Sequence, residues 1–296
     1  MSDQSPKICS YEGSDYQSSF WDQGGRAYED QVEGIALRRL LPPGGKLLLE
    51  LGAGAGRNTP RYLGFERVVL LDYSLSQLEQ AQARLGNSDR FIYVAADVYR
   101  LPFIAGLFDA ATMIRVLHHM ADAPRALEQI CQVLQPGAVF ILEFANKHNL
   151  KAIFRYWLKR QSWSPFSLEP VEFAALNFDF HPRAVRSWLS QAGFLVERLL
   201  SVSYFRIGLF KRLLPLKLLV PLDSLLQWTG GWAQLSPSVF VRCKVHGQTP
   251  LAKSAGFFRC LKCGSDRLIE GTEYLECQVC EKRWPVQGRI YDFRCD

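Results

Sequence analysis

The run Leu47-Leu48-Leu49-Glu50-Leu51-Gly52-Ala53-Gly54-Ala55-Gly56 constrains this chain more than any other stretch. Its apolar half reads as a buried strand, and its glycines read as a turn that the strand empties into. Glycine at such a turn lets a ligand lie against the backbone, because a Cβ would obstruct it. Helix-compatible residues follow, and a second apolar run, Val68-Val69-Leu70-Leu71, stops at Asp72. Strand, glycine turn, helix, strand and terminal acid is the layout of a mononucleoside-binding βαβ unit.

The alternation continues along the chain. A helix is expected from about Tyr28 to Leu41, stopped by Pro42-Pro43-Gly44-Gly45. Strands are expected at Lys46–Leu51, Arg67–Asp72, Phe91–Ala95, Asp109–Arg115 and Ala138–Phe144, and helices at Thr59–Leu63, Leu75–Leu85 and Ala123–Val133. Short apolar runs alternating with amphipathic helices predict a parallel sheet covered on both faces. After an irregular, aromatic-rich segment, a helix at Arg183–Ala192 and strands at Phe194–Val202 and Ser238–Val245 complete the pattern.

Four further features fall in register with the glycine turn. Asp72 ends the second strand, where a carboxylate can accept both ribose hydroxyl protons. Asp97 follows the third strand, Phe108-Asp109-Ala110 opens the fourth, and Leu134-Gln135-Pro136-Gly137-Ala138 leads into the fifth. A nicotinamide fingerprint would be G-x-G-x-x-G, whereas here the third glycine comes one place too early. Over about residues 16–245 this combination resembles the class I S-adenosylmethionine-dependent methyltransferases, in their small-molecule branch. The resemblance implies an α/β, Rossmann-like doubly wound sheet, mostly parallel with a final antiparallel strand. It also implies that Glu50, Gly52, Gly54 and Gly56 surround the methionine part of the cofactor. Asp72, with Tyr73 beside it, would hold the ribose, Asp97 the adenine amino group, and Val98 would lie against the ring. Arg115 and its neighbours would lie near the reacting centre; family members more often carry a small or polar residue at that place.

The chemistry would be in-line displacement of methyl from a sulfonium, with the protein aligning the acceptor and excluding water. If the acceptor needs deprotonation, His119 and His118 are the nearest bases, with Glu143, His148 and His181 behind them. His119 also reads as a structural residue capping the strand-four loop, and the family resemblance favours that reading. No Asn/Asp-Pro-Pro-Tyr/Phe follows strand four, and no cysteine lies in a loop after strand four or five. Those absences argue against exocyclic-amine and pyrimidine-C5 methylation and leave O-, C-, S- and ring-nitrogen acceptors open.

The flanks bear on the acceptor. Tyr16, Phe20, Trp21 and Tyr28 suit a lid over the cofactor or the packing of an N-terminal helix. The eight aromatics between Phe154 and Phe180 suggest an apolar acceptor pocket. Residues 181–260 hold eleven Lys/Arg against two acids. That basic stretch fits RNA phosphates. Alternatively, Arg206–Trp228 fits a peripheral contact with acidic lipid. The simplest reading is a solvated basic face whose stripe Leu209, Leu213, Leu216 and Val220 packs on the sheet. The net charge of +6 demands none of these. Met1 to Gln17 is unlike a secretory signal and no apolar run reaches spanning length, so a cytoplasmic protein without a transmembrane segment is expected.

Five of the eight cysteines fall in the last 37 residues. Cys260-x-x-Cys263 and Cys277-x-x-Cys280 place two thiolates on each of two tight turns, a set that can close a tetrahedral four-cysteine zinc site. With no open coordination position, such a zinc would be structural. Together with Trp284-Pro285-Val286 and Gly288-Arg289-Ile290, the module resembles the small zinc-binding activator subunit of tRNA- and protein-methyltransferase complexes, here supplied in cis. The expected organisation is a lid and helix over 1–44, and a methyltransferase domain over 45–248 with insertions at about 146–180 and 206–232. A linker at 249–256 and a zinc ribbon at 257–296 follow. The leading functional expectation is methylation of a mainly apolar small molecule or biosynthetic intermediate. RNA methylation and a non-enzymatic cofactor-binding scaffold are the alternatives.

Overall fold

The computed structural model describes residues 6–14, 19, 21, 23, 25–246 and 256–294. Seven strands form the body of the sheet: β1 (Gly45–Leu51), β2 (Phe65–Asp72), β3 (Phe91–Ala95), β4 (Phe108–Met113), β5 (Leu134–Ala145), β8 (Phe194–Val202) and β9 (Ser238–Val245). Their order is β3-β2-β1-β4-β5-β9-β8. The first five are parallel, and β9 runs antiparallel between β5 and β8. Leu47, Leu49 and Leu51 enter one core and Leu48 the other. This period-two alternation buries both faces of one strand and accounts for the uninterrupted apolar run.

Helices α1 (Ala27–Leu40), α2 (Leu75–Leu85) and α7 (Leu216–Leu226) cover one face. Helices α3 (Ala123–Val133) and α5 (Pro182–Gln191) cover the other. Ser74 caps α2 by accepting from the Gln77 N–H, and Asp122 caps α3 by accepting from Arg125. The helix expected at Thr59–Leu63 is reduced to a single 3-10 turn, Thr59–Arg61. Gly64 ends it against Pro43 and Gly44: a Cβ there would lie 2.0 Å from the Pro43 carbonyl oxygen. Helix α4 (Leu150–Trp157) and a hairpin of β6 (Val171–Ala174) and β7 (Asn177–Asp179) build the first insertion. Helix α6 (Gly208–Leu213) precedes α7 in the second. Among the described residues, no helix is long and apolar enough to cross a membrane.

The cysteine module continues the same sheet. Strands β10 (Leu268–Glu270), β11 (Tyr274–Cys277), β12 (Arg283–Gln287) and β13 (Ile290–Asp292) form an antiparallel meander, and β13 then pairs in parallel with β3. A second seam joins Phe258 to Phe103, where the Arg259 N–H donates to the Pro102 carbonyl at 2.8 Å. Phe258, Trp284 and Phe293 enter the same core as β1 and α3. The linker expected at 249–256 falls outside the described residues except for Gly256, as does Cys295.

Candidate active site

The C-terminal ends of β1 to β4 open onto one cavity of about 1110 Å³, part of it continuous with solvent. The glycine turn forms its floor. Gly52 passes so close to the strand-four loop that a Cβ would stand 2.2 Å from Val116 Cγ2. Gly54, at φ +51°, faces clear space, the nearest atom to a Cβ there being Gln77 Oε1 at 3.8 Å. Gly56 stands outside the lining; a Cβ on it would meet Leu85 of α2 at 2.8 Å, so its role is close packing of turn on helix.

Asp72 organises this floor. One carboxylate oxygen accepts from the Gly54 N–H at 2.8 Å and the other from the Ser74 N–H at 2.9 Å. The Tyr73 N–H also bonds this carboxylate, which keeps lone-pair capacity for a ligand hydroxyl. Burial pushes the Asp72 carboxyl upward, and these amide bonds oppose the rise. Asp97 lies across the cavity beside Val98 and accepts from the Tyr99 N–H at 2.8 Å. Glu50 is fully enclosed, accepting from Thr59 Oγ1 at 2.6 Å and Tyr62 OH at 3.3 Å, and burial raises its pKa to about 7. Tyr73 also lines the cavity.

Arg115 lines the cavity with its side chain already committed. Its Nε donates to Glu33 Oε1 at 2.7 Å, a second guanidinium nitrogen reaches the same oxygen, and its backbone N–H donates to Glu143 at 2.9 Å. Its φ of +60° is a left-handed conformation that a side-chain-bearing residue adopts at a cost of about 1–3 kcal/mol. Glu33 is buried, which raises its pKa, but Arg115 and Arg57 hold it below the ordinary carboxylate value. A guanidinium so paired positions the loop; it does not move protons. Glu143 is likewise engaged, accepting from both Arg115 and Ser238 Oγ.

His119 is held by both ring nitrogens. Leu176 O, an acceptor only, lies 3.0 Å from Nδ1, so Nδ1 carries the proton and Nε2 accepts from Tyr11 OH at 3.0 Å. Burial lowers the His119 pKa and favours this neutral form. His118 is not among the cavity-lining residues, and its Nδ1 is buried without a hydrogen-bond partner among the described residues. His148 and His181 face each other at 5.1 Å between ring centroids, and His181 caps α5 by accepting from the Arg183 N–H.

Sequence reasoning overlooked several lining residues. Ile8, Cys9 and Tyr11 come from a short N-terminal segment with no periodicity to reveal it, and Arg57, Asn58, Gln77 and Thr112 sit among residues of ordinary type. Glu12 pins that segment by accepting from the N–H groups of Leu75 and Ser76 at 2.9 and 3.0 Å, at the start of α2. Of the aromatics considered for a lid, Trp21 lines the cavity and stacks under Arg57 at 3.6 Å. Tyr28 is instead a core residue whose hydroxyl donates to Asp223 at 2.6 Å. Its position on the inner face of α1 decides this. Tyr16 and Phe20 lie outside the described residues.

In the C-terminal module, the sulfur atoms of Cys260, Cys263, Cys277 and Cys280 lie within 4.8 Å of one another. The Cys260–Cys280 and Cys263–Cys277 sulfurs are 3.6 and 3.5 Å apart. Zn–S bonds of about 2.3 Å in a tetrahedron put sulfurs about 3.8 Å apart, so the cluster fits that ion.

A family model described as a methyltransferase domain matches residues 49–142. A demethylmenaquinone methyltransferase of Clavibacter sepedonicus is 27% identical over 187 residues, covering 59% of this chain and 76% of the relative. A 2-phytyl-1,4-naphtoquinone methyltransferase of Nostoc punctiforme is 36% identical over 113 residues, covering 36% of this chain and 49% of the relative. Other curated relatives are likewise spanned over about half of their length or less. Among solved structures, a chain of the complex between the Haloferax volcanii Trm112 methyltransferase activator and a methyltransferase superposes with a TM-score of 0.56. It is 17% identical, with 78% of this chain and 96% of that chain covered. The domain match runs from β1 into β5 and takes in the ends of β1 to β4 that build the cavity, so over these residues the chain carries a domain similar to S-adenosylmethionine-dependent methyltransferases.

Proposed function

We propose that the enzyme methylates an O, C, S or ring-nitrogen atom of a mainly apolar small molecule. The observation that carries this reading is the bond from His119 to the Leu176 carbonyl. It brings the β6–β7 hairpin, and with it the aromatic insertion, against the strand-four loop at the edge of the cavity. Behind the hairpin, in the core, Phe178 and Phe180 stack at 6.2 Å and Trp188 meets Phe180 edge-on at 5.6 Å, which fixes the hairpin against that loop. The quinone-directed names of two relatives agree with an acceptor of this kind.

The bound cofactor supplies an electrophilic methyl on a sulfonium. Asp72, with Tyr73 beside it, would hold its ribose, Asp97 and Val98 the adenine end, and Glu50, Gly52 and Gly54 would surround its methionine part. Arg115 fixes the strand-four loop through Glu33 and Glu143 rather than reacting. Where the acceptor is a hydroxyl, His119 Nε2 takes its proton once the Tyr11 hydroxyl gives way; the neutral imidazole is the form that can do so.

Titration calorimetry with S-adenosylhomocysteine tests the site. Asp72→Ala removes the ribose acceptor and frees two turn amides, so affinity falls about 100-fold; an unchanged Kd refutes the assignment. Labelled methyl recovered in an organic-soluble product supports the acceptor class, and label recovered in RNA overturns it. We also assign a structural zinc to the four thiolates, with the module acting as an activator in cis. Metal analysis should find about one zinc per chain, as a closed four-thiolate site requires; near zero refutes it.

A further inference from the structure

The second insertion does not pack as its sequence suggests. Leu213 is 69% exposed and Leu216 is 39% exposed, although both belong to the stripe read as facing the sheet. Pro215 separates α6 from α7 and resets the helical phase. In α7 only Leu219 and Asp223 are buried, while Leu218, Leu222 and Leu225 form an outward row at helical spacing. Trp228 and Trp232, in and just after the turn against β8, are also exposed, Trp232 at 91%. Helix α4 has the same character. Ala152 and Ile153 face in, while Leu150, Phe154 and Trp157, with Leu158 just past the helix, face out.

Topology puts the starts of the two insertions at one end of the molecule, and α7 then lies along one face of the sheet. Strands β5 and β8 both pair antiparallel with β9, so they run in the same direction. The segments leaving them, α4 and α6, therefore emerge at the end of the sheet where the glycine turn and His119 lie. Both carry exposed cations among the exposed apolar residues: Lys151, Arg155, Lys159 and Arg160 in and just after α4, and Arg212 and Lys217 on the second insertion. No acid occurs from residue 145 to 168. The one acid from 206 to 232, Asp223, is buried and accepts from Tyr28 and the Tyr204 N–H.

We propose that this end of the molecule docks on an anionic lipid bilayer, with Trp157, Leu158, Leu218 and Leu225 entering the interface and the cations meeting lipid phosphates. Aromatic and leucine side chains alternating with Lys and Arg on α4 and the α6–α7 segment, with the exposed acids of the first insertion, Glu169 and Glu172, confined to its hairpin side, is the composition of a surface that lies in a headgroup layer. A second copy of the chain would bring two basic surfaces together. RNA would leave the leucine rows unsatisfied. The inference does not depend on the acceptor: a soluble acceptor would refute the proposed function and leave vesicle binding untouched.

The test is co-sedimentation of the full chain with vesicles of phosphatidylcholine alone or mixed with phosphatidylglycerol. The protein should bind the mixed vesicles about ten-fold more tightly, and the preference should shrink at raised salt. Trp157→Ser with Leu158→Ser should weaken binding about ten-fold, and so should Leu218→Ser with Leu225→Ser, as exposed anchors require. Both variants should keep their melting temperature, because all four side chains are largely exposed. Equal binding to both vesicle types, or none, overturns the proposal. So does a dimer in sedimentation analysis that these variants dissociate, or RNA binding that the Lys151→Glu/Arg155→Glu variant abolishes and the Trp157 variant spares.

Discussion

The two edges of the sheet are finished in different ways. At β3 the backbone is paired by β13, with Ile290 opposite Tyr93 and Asp292 opposite Ala95. Behind that strand stands a packed aromatic cluster, Phe258, Trp284 and Phe293, with Trp284 and Phe293 ring centroids 5.2 Å apart. At β8 the 227–231 turn lies on the strand instead. Gly230 sits so close that a Cβ would be 2.6 Å from Leu200 Cα, and Ser201 Oγ donates to the Ala233 carbonyl at 3.3 Å. An open strand edge invites pairing with other chains. One edge is closed by a cooperative β-meander, the other by a tight backbone contact. The meander also reaches the cavity: Arg294, just past β13, donates to Glu12, which anchors the N-terminal segment that lines it.

Removing the aromatic cluster should do the most damage. Trp284→Ala leaves a cavity in a core shared by module and sheet, costing about 3–5 kcal/mol. The checking measurement is denaturant unfolding, with one transition expected because module and sheet share that core. A separate, low-stability transition for the module would show that the β3 edge is merely covered.

The centre of the sheet supplies the next effect, through Glu50 on β1. Its folded pKa of about 7 lies above the unfolded value, so the folded state binds the extra proton. The stability this contributes is complete below the unfolded pKa and is lost as pH rises towards 7, by at most roughly 3 kcal/mol. In the cofactor-free protein, Glu50→Gln should flatten that part of the stability-versus-pH curve. An unaltered slope would place its origin elsewhere, in Asp72 or in the edges.

Gly230→Val should have the smallest effect, about 1–3 kcal/mol, because the turn can lift from β8 at the cost of its contact. Its specific signature is a local loss of protection: β8 amides should exchange hydrogen faster while β3 amides do not. Equal acceleration at both edges would mean that the sheet opens as one unit.

Much of the body was readable from local pattern. The strands at 91–95, 194–202 and 238–245 and the helices at 75–85 and 123–133 have the limits their periodicity implies. The loss of the Thr59–Leu63 helix was not readable, because it follows from the contact of Gly64 with Pro43. The stripe at 209–220 misled for a similar reason: helical phase was extrapolated across Pro215. Asp72 could be singled out because it ends an apolar run. Tyr11 and Leu176 could not, since they reach His119 from 108 and 57 residues away through an irregular segment and a hairpin.

By itself, the sequence determined the doubly wound body, the glycine turn with the acid that ends the next strand, and the four thiolates, because each depends on residues close together in the chain or on simple periodicity. Tertiary structure decided the rest. It joined the cysteine module to β3, since pairing of backbone groups leaves no mark in side-chain pattern. It committed Arg115 to Glu33 and fixed the His119 tautomer, since both partners come from distant elements. It also turned two leucine rows outward, since which face of a helix is buried depends on what the chain places behind it.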